Sequence, residues 1–364
     1  MQLSELHTKI HAGERITRDE GLYLLQKGEL LDLGALASEI RFRKNPNPWV
    51  TFILDTNPNY SNVCTVDCIF CAFYRHQEDK DAYTYSIDHL IQKFKEAAAK
   101  GATTVLLQGG VHPSLPFEYY LDLVRRTHEE VPEVHPHFFS APEIIGMGQI
   151  SGLSITTVLE KLKEAGMNSL PGGGAEILSD RVKKKISSLK GTSAEWLNVM
   201  REAHRLGYKT TATMMYGHLE TDEDIIEHLE VIRQLQDEYH GFTAFVPWSF
   251  KPGNTPLEKI IPHCATPIRY LQIIAISRIY LDNFQHIQAS WFSEGKKTGQ
   301  IALHFGADDF GGTLQEENVH AAANFINTTD TEECLSMIRD AGFIPVQRST
   351  LYEIIRIFEE AQVA

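Results

Sequence analysis

The segment from residue 209 to residue 250 reads KTTATMMYGHLETDEDIIEHLEVIRQLQDEYHGFTAFVPWSF and contains one strand–helix–strand unit. Residues 209–217 and 241–250 have the pattern of short strands. Residues 221–239 between them carry apolar side chains at helical spacing. A strand, a crossover helix and a second strand predict two parallel neighbours in one sheet.

The same alternation extends along most of the chain. Strands are predicted at 49–55, 103–110, 134–141, 168–173, 209–217, 241–250, 286–291 and, on a weaker pattern, 306–312. Helical patterns lie between most of these segments, which indicates a parallel sheet with crossover helices. Eight such units favour a closed (β/α)8 barrel of the TIM type, with an open, doubly wound sheet as the alternative.

Segments before and after the barrel are predicted to form extensions. Residues 1–48 read as an N-terminal helical extension, in which Thr17 and Glu20 form a capping-box pattern. The barrel is assigned to residues 49–313 and a mostly helical C-terminal appendage to residues 314–364. Within that α/β appendage, residues 330–358 are expected to form a helix, a short strand and a second helix.

Composition argues against several classes of partner. The chain has 364 residues, of which 43% are hydrophobic, and a formal net charge of -14. An acidic chain has no basic excess to neutralise phosphates, which argues against a nucleic-acid partner. The sequence has no apolar run long enough to span a membrane and no signal peptide at its start. Five cysteines, three of them clustered, do not suggest a disulfide framework, so a reducing cytoplasmic location is expected.

Unusual segments follow seven of the eight predicted strands. They are the cysteine cluster, QGG (108–110), SAPE (140–143), PGGGAE (171–176), YGHLE (216–220), PWSFKPGN (247–254) and SWFSEG (290–295). In a (β/α)8 barrel the loops after the strands meet at the C-terminal mouth, where active sites lie. All seven segments are therefore expected on one face.

The cysteine cluster has two interpretations. Cys64, Cys68 and Cys71 have the spacing C-x3-C-x2-C, and His76 follows as a fourth possible ligand of a structural zinc ion. Zinc modules usually stabilise folds that lack a large core, and this chain has ample length for one. The other interpretation is a [4Fe-4S] cluster held by three thiolates. Such a cluster leaves one iron open for the amine and carboxylate of a small molecule.

With the aromatic Phe70 directly before the last cysteine, this cluster resembles the signature of the radical S-adenosylmethionine (SAM) superfamily. The resemblance implies a [4Fe-4S] cluster whose open iron binds the methionine end of SAM, and cleavage of SAM to a 5′-deoxyadenosyl radical. It also implies that Gln108, Gly109 and Gly110 lie near the SAM amine, although Val111 stands where an acidic residue is common. Glu176 is implied to bind the ribose of SAM. Its alternative role is that of a carboxylate at a helix N-terminus.

The resemblance extends over nearly the whole chain. The segments NYSNVCTVDCIFCAFYR (59–75), SLPGGGAEILSDRVK (169–183) and ASWFSEGKKTGQIALHFGADDFGGTLQEENV (289–319) are similar to the futalosine branch of menaquinone biosynthesis. Within it they look most like the enzymes that cyclise dehypoxanthinyl futalosine, whereas aminofutalosine synthases and enzymes of deazaflavin FO synthesis share much of the pattern. The implied reaction takes hydrogen from the ribose C4′ and closes a spiro ring onto the benzoate. An external one-electron donor of the flavodoxin or ferredoxin type is implied as well.

Six further residues are candidates for contact with the substrate. His218 and Glu220 lie two apart after the fifth strand, so they are predicted to share a face and to supply the catalytic base, with helix capping at Thr221 as the alternative. Trp248 and Trp291 end strands six and seven and are predicted to wall the aromatic ring of the substrate. The remaining two candidates for the substrate site are Tyr60 and Asp309.

Overall fold

The computed structural model describes residues 2–359 and begins with three helices, α1 (Leu3–His11), α2 (Arg18–Lys27) and α3 (Leu30–Lys44). The predicted capping box of α2 is confirmed, because Thr17 Oγ1 accepts from the Glu20 amide at 3.3 Å and Glu20 accepts from the Thr17 amide at 2.7 Å. At the end of α3, the buried Arg41 donates to the carbonyl oxygens of Asn45, Asn47 and Trp49. These hydrogen bonds fix the helical extension to the first strand.

Parallel strands form a closed ring around one axis. They are β1 (Trp49–Ile53) continued by β2 (Asp55–Thr56), then β3 (Thr104–Leu107), β4 (His135–Phe138), β5 (Ser169–Leu170), β6 (Lys209–Tyr216), β7 (Phe242–Ser249), β8 (His286–Ile287) and β9 (Asp309–Gly312). Each strand from β2 to β7 pairs in parallel with the next. The ring closes because β9 pairs with β1 and Asp309 bridges to Gln288 beyond β8. The eight predicted strands and the closed barrel are confirmed, and the open sheet is wrong.

Helices cover the outside of the barrel. They are α4 (Ile87–Ala99), α5 (Phe117–Glu130), α6 (Ala141–Ser151), α7 (Ile155–Glu164), α8 (Asp180–Ile186), α9 (Ser193–Arg205), α10 (Asp222–Tyr239), α11 (Pro267–Tyr280), α12 (Trp291–Glu294) and α13 (Lys296–Ala302), with 3-10 turns at Pro256–Lys259 and Leu303–Phe305. Several of them start at a Ser or Thr whose hydroxyl accepts from the first turn, as Thr221 does for α10 at 3.4 Å. Within residues 2–359, none of the helices has the length and apolarity needed to cross a membrane.

The C-terminal appendage differs from the helical prediction. It contains α14 (Val319–Ala322), α15 (Thr331–Asp340), β10 (Ile344–Arg348) and β11 (Ile354–Ile357), and residues 360–364 lie outside the described part. The second predicted helix is therefore wrong: β-branched isoleucines place 354–357 in a strand that pairs antiparallel with β10. In turn, β10 pairs in parallel with β1 over Trp49–Phe52, whereas only the continuation β2 pairs with β3. The appendage thus enters the wall of the barrel at the N-terminal ends of its strands.

The interior of the barrel is open and carries several polar side chains. Side-chain layers of branched apolar residues usually fill a (β/α)8 barrel. Here Thr104, His137, Thr211 and Arg348 all line a cavity inside the ring. A barrel that keeps polar groups around an empty axis has room for a ligand deep between its strands.

Candidate active site

One cavity of about 360 Å³ runs along the barrel axis. At the C-terminal mouth it is bordered by Phe70 and Cys71 of the cysteine loop, and at the other end by Arg348 and Tyr352 of the appendage. Between these ends, side chains from successive strands of the ring face inward. The volume is typical of a site that encloses a small organic molecule.

The three cysteines of the loop after β2 converge on a second, smaller pocket. Cys64, Cys68 and Cys71 all line this pocket of about 100 Å³. Backbone amides of Val111 and Val66 point at Cys64 Sγ from 3.3 and 3.5 Å. Amides that donate to sulfur orient a cysteine ligand and fix it to the neighbouring backbone.

The position of His76 bears on the two metal interpretations. Nowhere in residues 2–359 do three His, Cys, Asp or Glu side chains come close enough to surround a single ion. His76 does not approach the cysteines: its Nε2 lies 3.6 Å from Asp67 Oδ1 and its side chain is 57% exposed. The three cysteines line one pocket and His76 does not line it, so the structure does not assemble the zinc site with His76.

The glycine loop after β3 is bonded to the cysteine loop. The Gly110 amide donates to the Ser61 carbonyl oxygen at 2.9 Å, and the Thr65 amide donates to the Val111 carbonyl oxygen at 3.0 Å. A Cβ atom on Gly110 would lie 2.0 Å from the Val63 carbonyl oxygen. Glycine is thus required here by contact between two loops. Gln108 and Gly109 line the main cavity, and Gly109 and Gly110 line the smaller pocket.

A buried carboxylate, Glu143, supports the glycine loop from behind. It accepts hydrogen bonds from Tyr60 Oη at 2.8 Å, from the Gly109 amide at 3.1 Å and from the Ser140 amide at 2.7 Å. Burial raises its pKa to about 7, against these hydrogen bonds. Tyr60 is fully buried behind the loop and does not line the cavity. The predicted contact between Tyr60 and the substrate is therefore not supported, because the Tyr60 hydroxyl donates to Glu143. In the sequence, the SAPE segment was the signal that could have pointed to Glu143.

Glu176 lines the cavity beside the cysteines and forms an ion pair with Lys190. Its backbone is in the left-handed region at a φ of 46°, directly after the glycine-rich turn. Burial raises the pKa of Glu176, but the charge of Lys190 lowers it by more, so the pKa of this carboxyl lies below its ordinary value. The Lys190 ammonium lies 5.2 Å from the centroid of the Phe70 ring and lines both pockets. Lys190 was missed because no sequence motif contains it.

The predicted base residues do not reach the cavity. Glu220 accepts from the backbone amides of Gly217 at 2.5 Å and His218 at 2.8 Å. His218 is buried, and its ring nitrogens face the Met215 carbonyl oxygen at 3.0 Å and the Leu219 amide at 2.7 Å. Neither side chain lines the main cavity. The two side chains do share a face, since His218 Nδ1 lies 3.2 Å from Glu220 Oε2. A turn directs both groups at the backbone of their own loop, however, so neither faces the cavity.

Aromatic side chains wall the cavity near its mouth. Trp248 and Trp291 line it at the predicted positions, and Phe292 and His320 join them. The ring of His320 stacks on Phe292 with centroids 4.6 Å apart and lies 5.5 Å from the ring of Trp248. His320 is 7% exposed, and its buried Nδ1 has no hydrogen-bond partner among residues 2–359. Burial lowers its pKa to about 3, so its imidazole is neutral.

Asp309 is held away from the cavity by the appendage. It is fully buried, accepts from Thr51 Oγ1 at 2.6 Å and forms an ion pair with Arg348, whose Nη2 lies 3.0 Å from Asp309 Oδ1. Arg348 lines the cavity in its place. The predicted contact between Asp309 and substrate is therefore not supported, since the insertion of β10 supplies Asp309 with a cation.

Comparison with known proteins agrees with this geometry. Residues 59–232 match the family model of the Radical SAM superfamily, and residues 239–361 match that of the CofH/MqnC C-terminal region. The chain is 41% identical over 352 residues to a cyclic dehypoxanthine futalosine synthase of Halalkalibacterium halodurans, covering 97% of this chain and 95% of that protein. It is 38% identical over 365 residues to an aminodeoxyfutalosine synthase of Thermus thermophilus, and this match covers 99% of this chain and 98% of that protein. Among solved structures, methylornithine synthase shares the fold with a TM-score of 0.72 at 20% identity, over 93% of this chain and 97% of that one.

A closed (β/α)8 barrel with three cysteines after its first strand, and a glycine loop bonded to them, defines a class of enzymes that generate radicals from SAM. This architecture and the sequence matches together show that the chain belongs to the radical SAM superfamily. Its similarity over nearly the full length extends to relatives named as cyclic dehypoxanthine futalosine synthases. A [4Fe-4S] cluster and SAM are the cofactors that this superfamily implies.

Proposed function

We propose that this enzyme converts dehypoxanthinyl futalosine to cyclic dehypoxanthinyl futalosine in menaquinone biosynthesis. One observation carries the proposal: the cavity that reaches Cys71 and Glu176 at the mouth is walled by Trp248, Trp291 and Phe292. Such a cavity suits a substrate in which an aromatic ring is attached to a sugar, because flat side chains bury the ring and polar strand residues meet the hydroxyl groups. The similarity to relatives of that name supports the same substrate.

The residues around the smaller pocket would hold the cofactors. We assign Cys64, Cys68 and Cys71 to a [4Fe-4S] cluster with no fourth protein ligand, and the backbone of Gln108 to Gly110 to the SAM amine. Phe70 and Glu176 would contact the adenosine part, with Glu176 accepting from the ribose hydroxyl groups. When bound, the pair supplies a 5′-deoxyadenosyl radical that takes the hydrogen atom from C4′ of the substrate ribose. The barrel wall would keep water from the radical.

His320 is the best-placed group for the last step. After the C4′ radical adds to the benzoate ring, aromaticity returns when one electron passes to an oxidised one-electron acceptor and one proton leaves the ring carbon. His320 is buried in the aromatic wall of the cavity, and its Nδ1 has no hydrogen-bond partner among residues 2–359, so this ring nitrogen is free to accept that proton. It therefore replaces His218 and Glu220 as the proposed base.

Isotope transfer tests the reaction. Substrate deuterated at the ribose C4′ should pass its label to 5′-deoxyadenosine, and the product should weigh two hydrogens less than the substrate. Mass spectrometry of both products after anaerobic turnover measures this result. Unlabelled 5′-deoxyadenosine would exclude C4′ as the abstraction site.

Replacing His320 tests the base. His320→Gln should slow formation of the cyclic product by about 10²–10⁴-fold, whereas formation of 5′-deoxyadenosine should fall much less. In His320→Gly, added imidazole should restore part of the product formation. Equal loss of both products, with no effect of imidazole, would assign His320 to packing alone.

The aminodeoxyfutalosine synthase reaction is the alternative, because the relative of that name matches 99% of this chain. That reaction would begin with radical addition to an enol-ether substrate. Incubation with each substrate separately distinguishes the two. Turnover of the enol ether in place of dehypoxanthinyl futalosine would overturn the cyclase proposal.

A further inference from the structure

The inner end of the main cavity contains one buried arginine, Arg348, which is 5% exposed and belongs to β10 of the appendage. Among the lysines and arginines of residues 2–359, only Arg348 and Lys190 line this cavity. Lys190 stands at the mouth, where it pairs with Glu176 beside the cysteines. Three acids line the cavity as well: Glu176 and Glu317 follow β5 and β9 at the mouth, and Asp55 lies nearer to Arg348. A negatively charged group at the inner end of a ligand therefore finds its cation in Arg348.

Arg348 keeps N–H groups for a ligand after its own partners are satisfied. A guanidinium has five N–H donors in one plane. The Nε and Nη2 atoms donate to Asp309, with Nη2 3.0 Å from Asp309 Oδ1, and Nη1 donates to the Ser349 carbonyl oxygen at 3.1 Å. The Tyr352 ring covers the flat face of the guanidinium, with the ring centroid 3.9 Å from the guanidinium carbon. These contacts within residues 2–359 occupy three of the five donors and leave one N–H group on Nη1 and one on Nη2.

Two acids, Asp309 and Asp55, lie close to Arg348, and neither takes the place of a ligand. Asp309 does not line the cavity, so it orients the guanidinium from behind. Asp55 does line the cavity, but its carboxylate packs against backbone: the Leu314 amide donates to its Oδ1 at 2.7 Å, and a Cβ atom on Gly312 would lie 2.2 Å from both of its oxygens. Burial raises the pKa of Asp55 to about 6, and a second anion nearby favours its protonated form further. A bound carboxylate is therefore accommodated by proton uptake at Asp55.

Other hydrogen-bond donors surround the same inner end. Thr104 and Thr350 both line it, and their hydroxyl oxygens lie 2.6 Å apart. His137 lines it as well; its Nδ1 is 2.6 Å from Ser169 Oγ, which leaves Nε2 without a protein partner among residues 2–359. Burial lowers the pKa of His137 to about 3, so its ring is neutral, and Nε2 donates in the tautomer whose Nδ1 accepts from Ser169. Hydroxyl and imidazole donors beside a guanidinium suit the two oxygens of a carboxylate.

We propose that Arg348 binds the carboxylate of the substrate's benzoate ring and so fixes how deep the substrate lies in the barrel. The inference rests on the proposed function, whose substrate carries this carboxylate on the ring walled by Trp248 and Trp291. An anion that enters a closed cavity needs a cation and donors to replace its water, and a guanidinium matches the planar carboxylate. With the carboxylate at Arg348 and the ring between the tryptophans, the ribose is directed toward Cys71 and Glu176 at the mouth.

A substrate analogue tests the assignment together with a paired variant. In the analogue, a carboxamide replaces the carboxylate of the ring, and wild-type enzyme should show a KM about 10–100-fold higher for it than for the substrate, as expected for loss of hydrogen bonds to a charged group. R348Q/D309N removes the arginine and leaves no buried charge unpaired. In that variant the two KM values should nearly coincide, because the group that distinguishes carboxylate from carboxamide is gone. Arg348→Lys keeps a charge beside Asp309 without the planar fork and should show an intermediate preference.

The matched control removes a second buried ion pair of the same kind. Arg278 and Asp308 are paired and buried, and neither lines the cavity. R278Q/D308N should therefore keep the wild-type preference for the carboxylate. The proposal is overturned if wild-type enzyme accepts both compounds with equal KM, or if R348Q/D309N and Arg348→Lys keep the full preference. Wild-type enzyme that cyclises neither compound would instead refute the proposed function.

Discussion

Gly110→Ala should damage the metal site through a contact between two loops. The added Cβ would lie 2.0 Å from the Val63 carbonyl oxygen and 2.8 Å from Cys64 Cβ, whereas Cβ atoms essentially never approach within 3.0 Å of another heavy atom. Gly110 or Val63 therefore has to move by about 1 Å, and overpacking of this kind costs about 1–3 kcal/mol of folding free energy. Since the Val111 amide is bonded to Cys64 Sγ at 3.3 Å, the movement is passed on to a cysteine ligand.

Reconstitution with iron and sulfide under anaerobic conditions measures the effect. Gly110→Ala should bind less iron and sulfide per chain, and its rate of SAM cleavage should fall about 10²-fold, as expected for a misplacement of about 1 Å at a reacting centre. Gly342→Ala is the control: its backbone also has a positive φ, of 83°, but no atom lies within 4 Å of the added Cβ. That variant should lose about 1 kcal/mol of stability and keep its iron.

Thermal unfolding and metal content together decide the outcome. If Gly110→Ala unfolds near the wild-type temperature, keeps full iron content and cleaves SAM at the wild-type rate, the loops tolerate the contact and the reasoning fails. If it loses iron while Gly342→Ala does not, the loss is local to the cysteine loop.

Three further predictions concern the site and its support. Cys71→Ala should abolish cluster assembly and SAM cleavage, whereas Cys334→Ser, at a buried thiol of α15, should leave iron content unchanged; a need for Cys334 would refute the three-ligand assignment. Glu176→Gln should weaken SAM binding by about 1–3 kcal/mol in equilibrium titration with no loss of iron, and unchanged affinity would return Glu176 to a structural role. Burial raises the pKa of Asp308, but the Arg278 guanidinium outweighs this effect and holds that pKa well below its usual range. The stability that this ion pair contributes is therefore present above about pH 4 and is lost as the pH falls further. Asp308→Asn should lower the free energy of unfolding by about 3–5 kcal/mol at neutral pH, because it leaves the Arg278 charge buried without a partner. Denaturant titrations at several pH values should then show a smaller loss of stability below about pH 4 than in wild type. An unchanged loss of stability in that range would contradict the assignment.

The sequence alone determined the features that depend on neighbours in the chain. Alternating strand and helix patterns gave all eight strands, because hydrophobic periodicity reflects which face of each element is buried. The capping box at Thr17 follows from residues three positions apart. The cysteine spacing pointed to its chemistry for the same reason, since all three ligands lie within one loop. Trp248 and Trp291 were also placed correctly, because they stand at the ends of strands, where the mouth of a barrel forms.

Tertiary structure decided which side chains face the cavity. Lys190 and His320 reach the site from segments with no recognisable motif, whereas His218 is turned away by hydrogen bonds within its own loop. The appendage was misjudged for a related reason: β10 pairs with β1 across nearly the whole length of the chain, and no local pattern encodes such a partner. Side-chain direction in a loop and pairing between distant strands both depend on packing that only the folded chain creates.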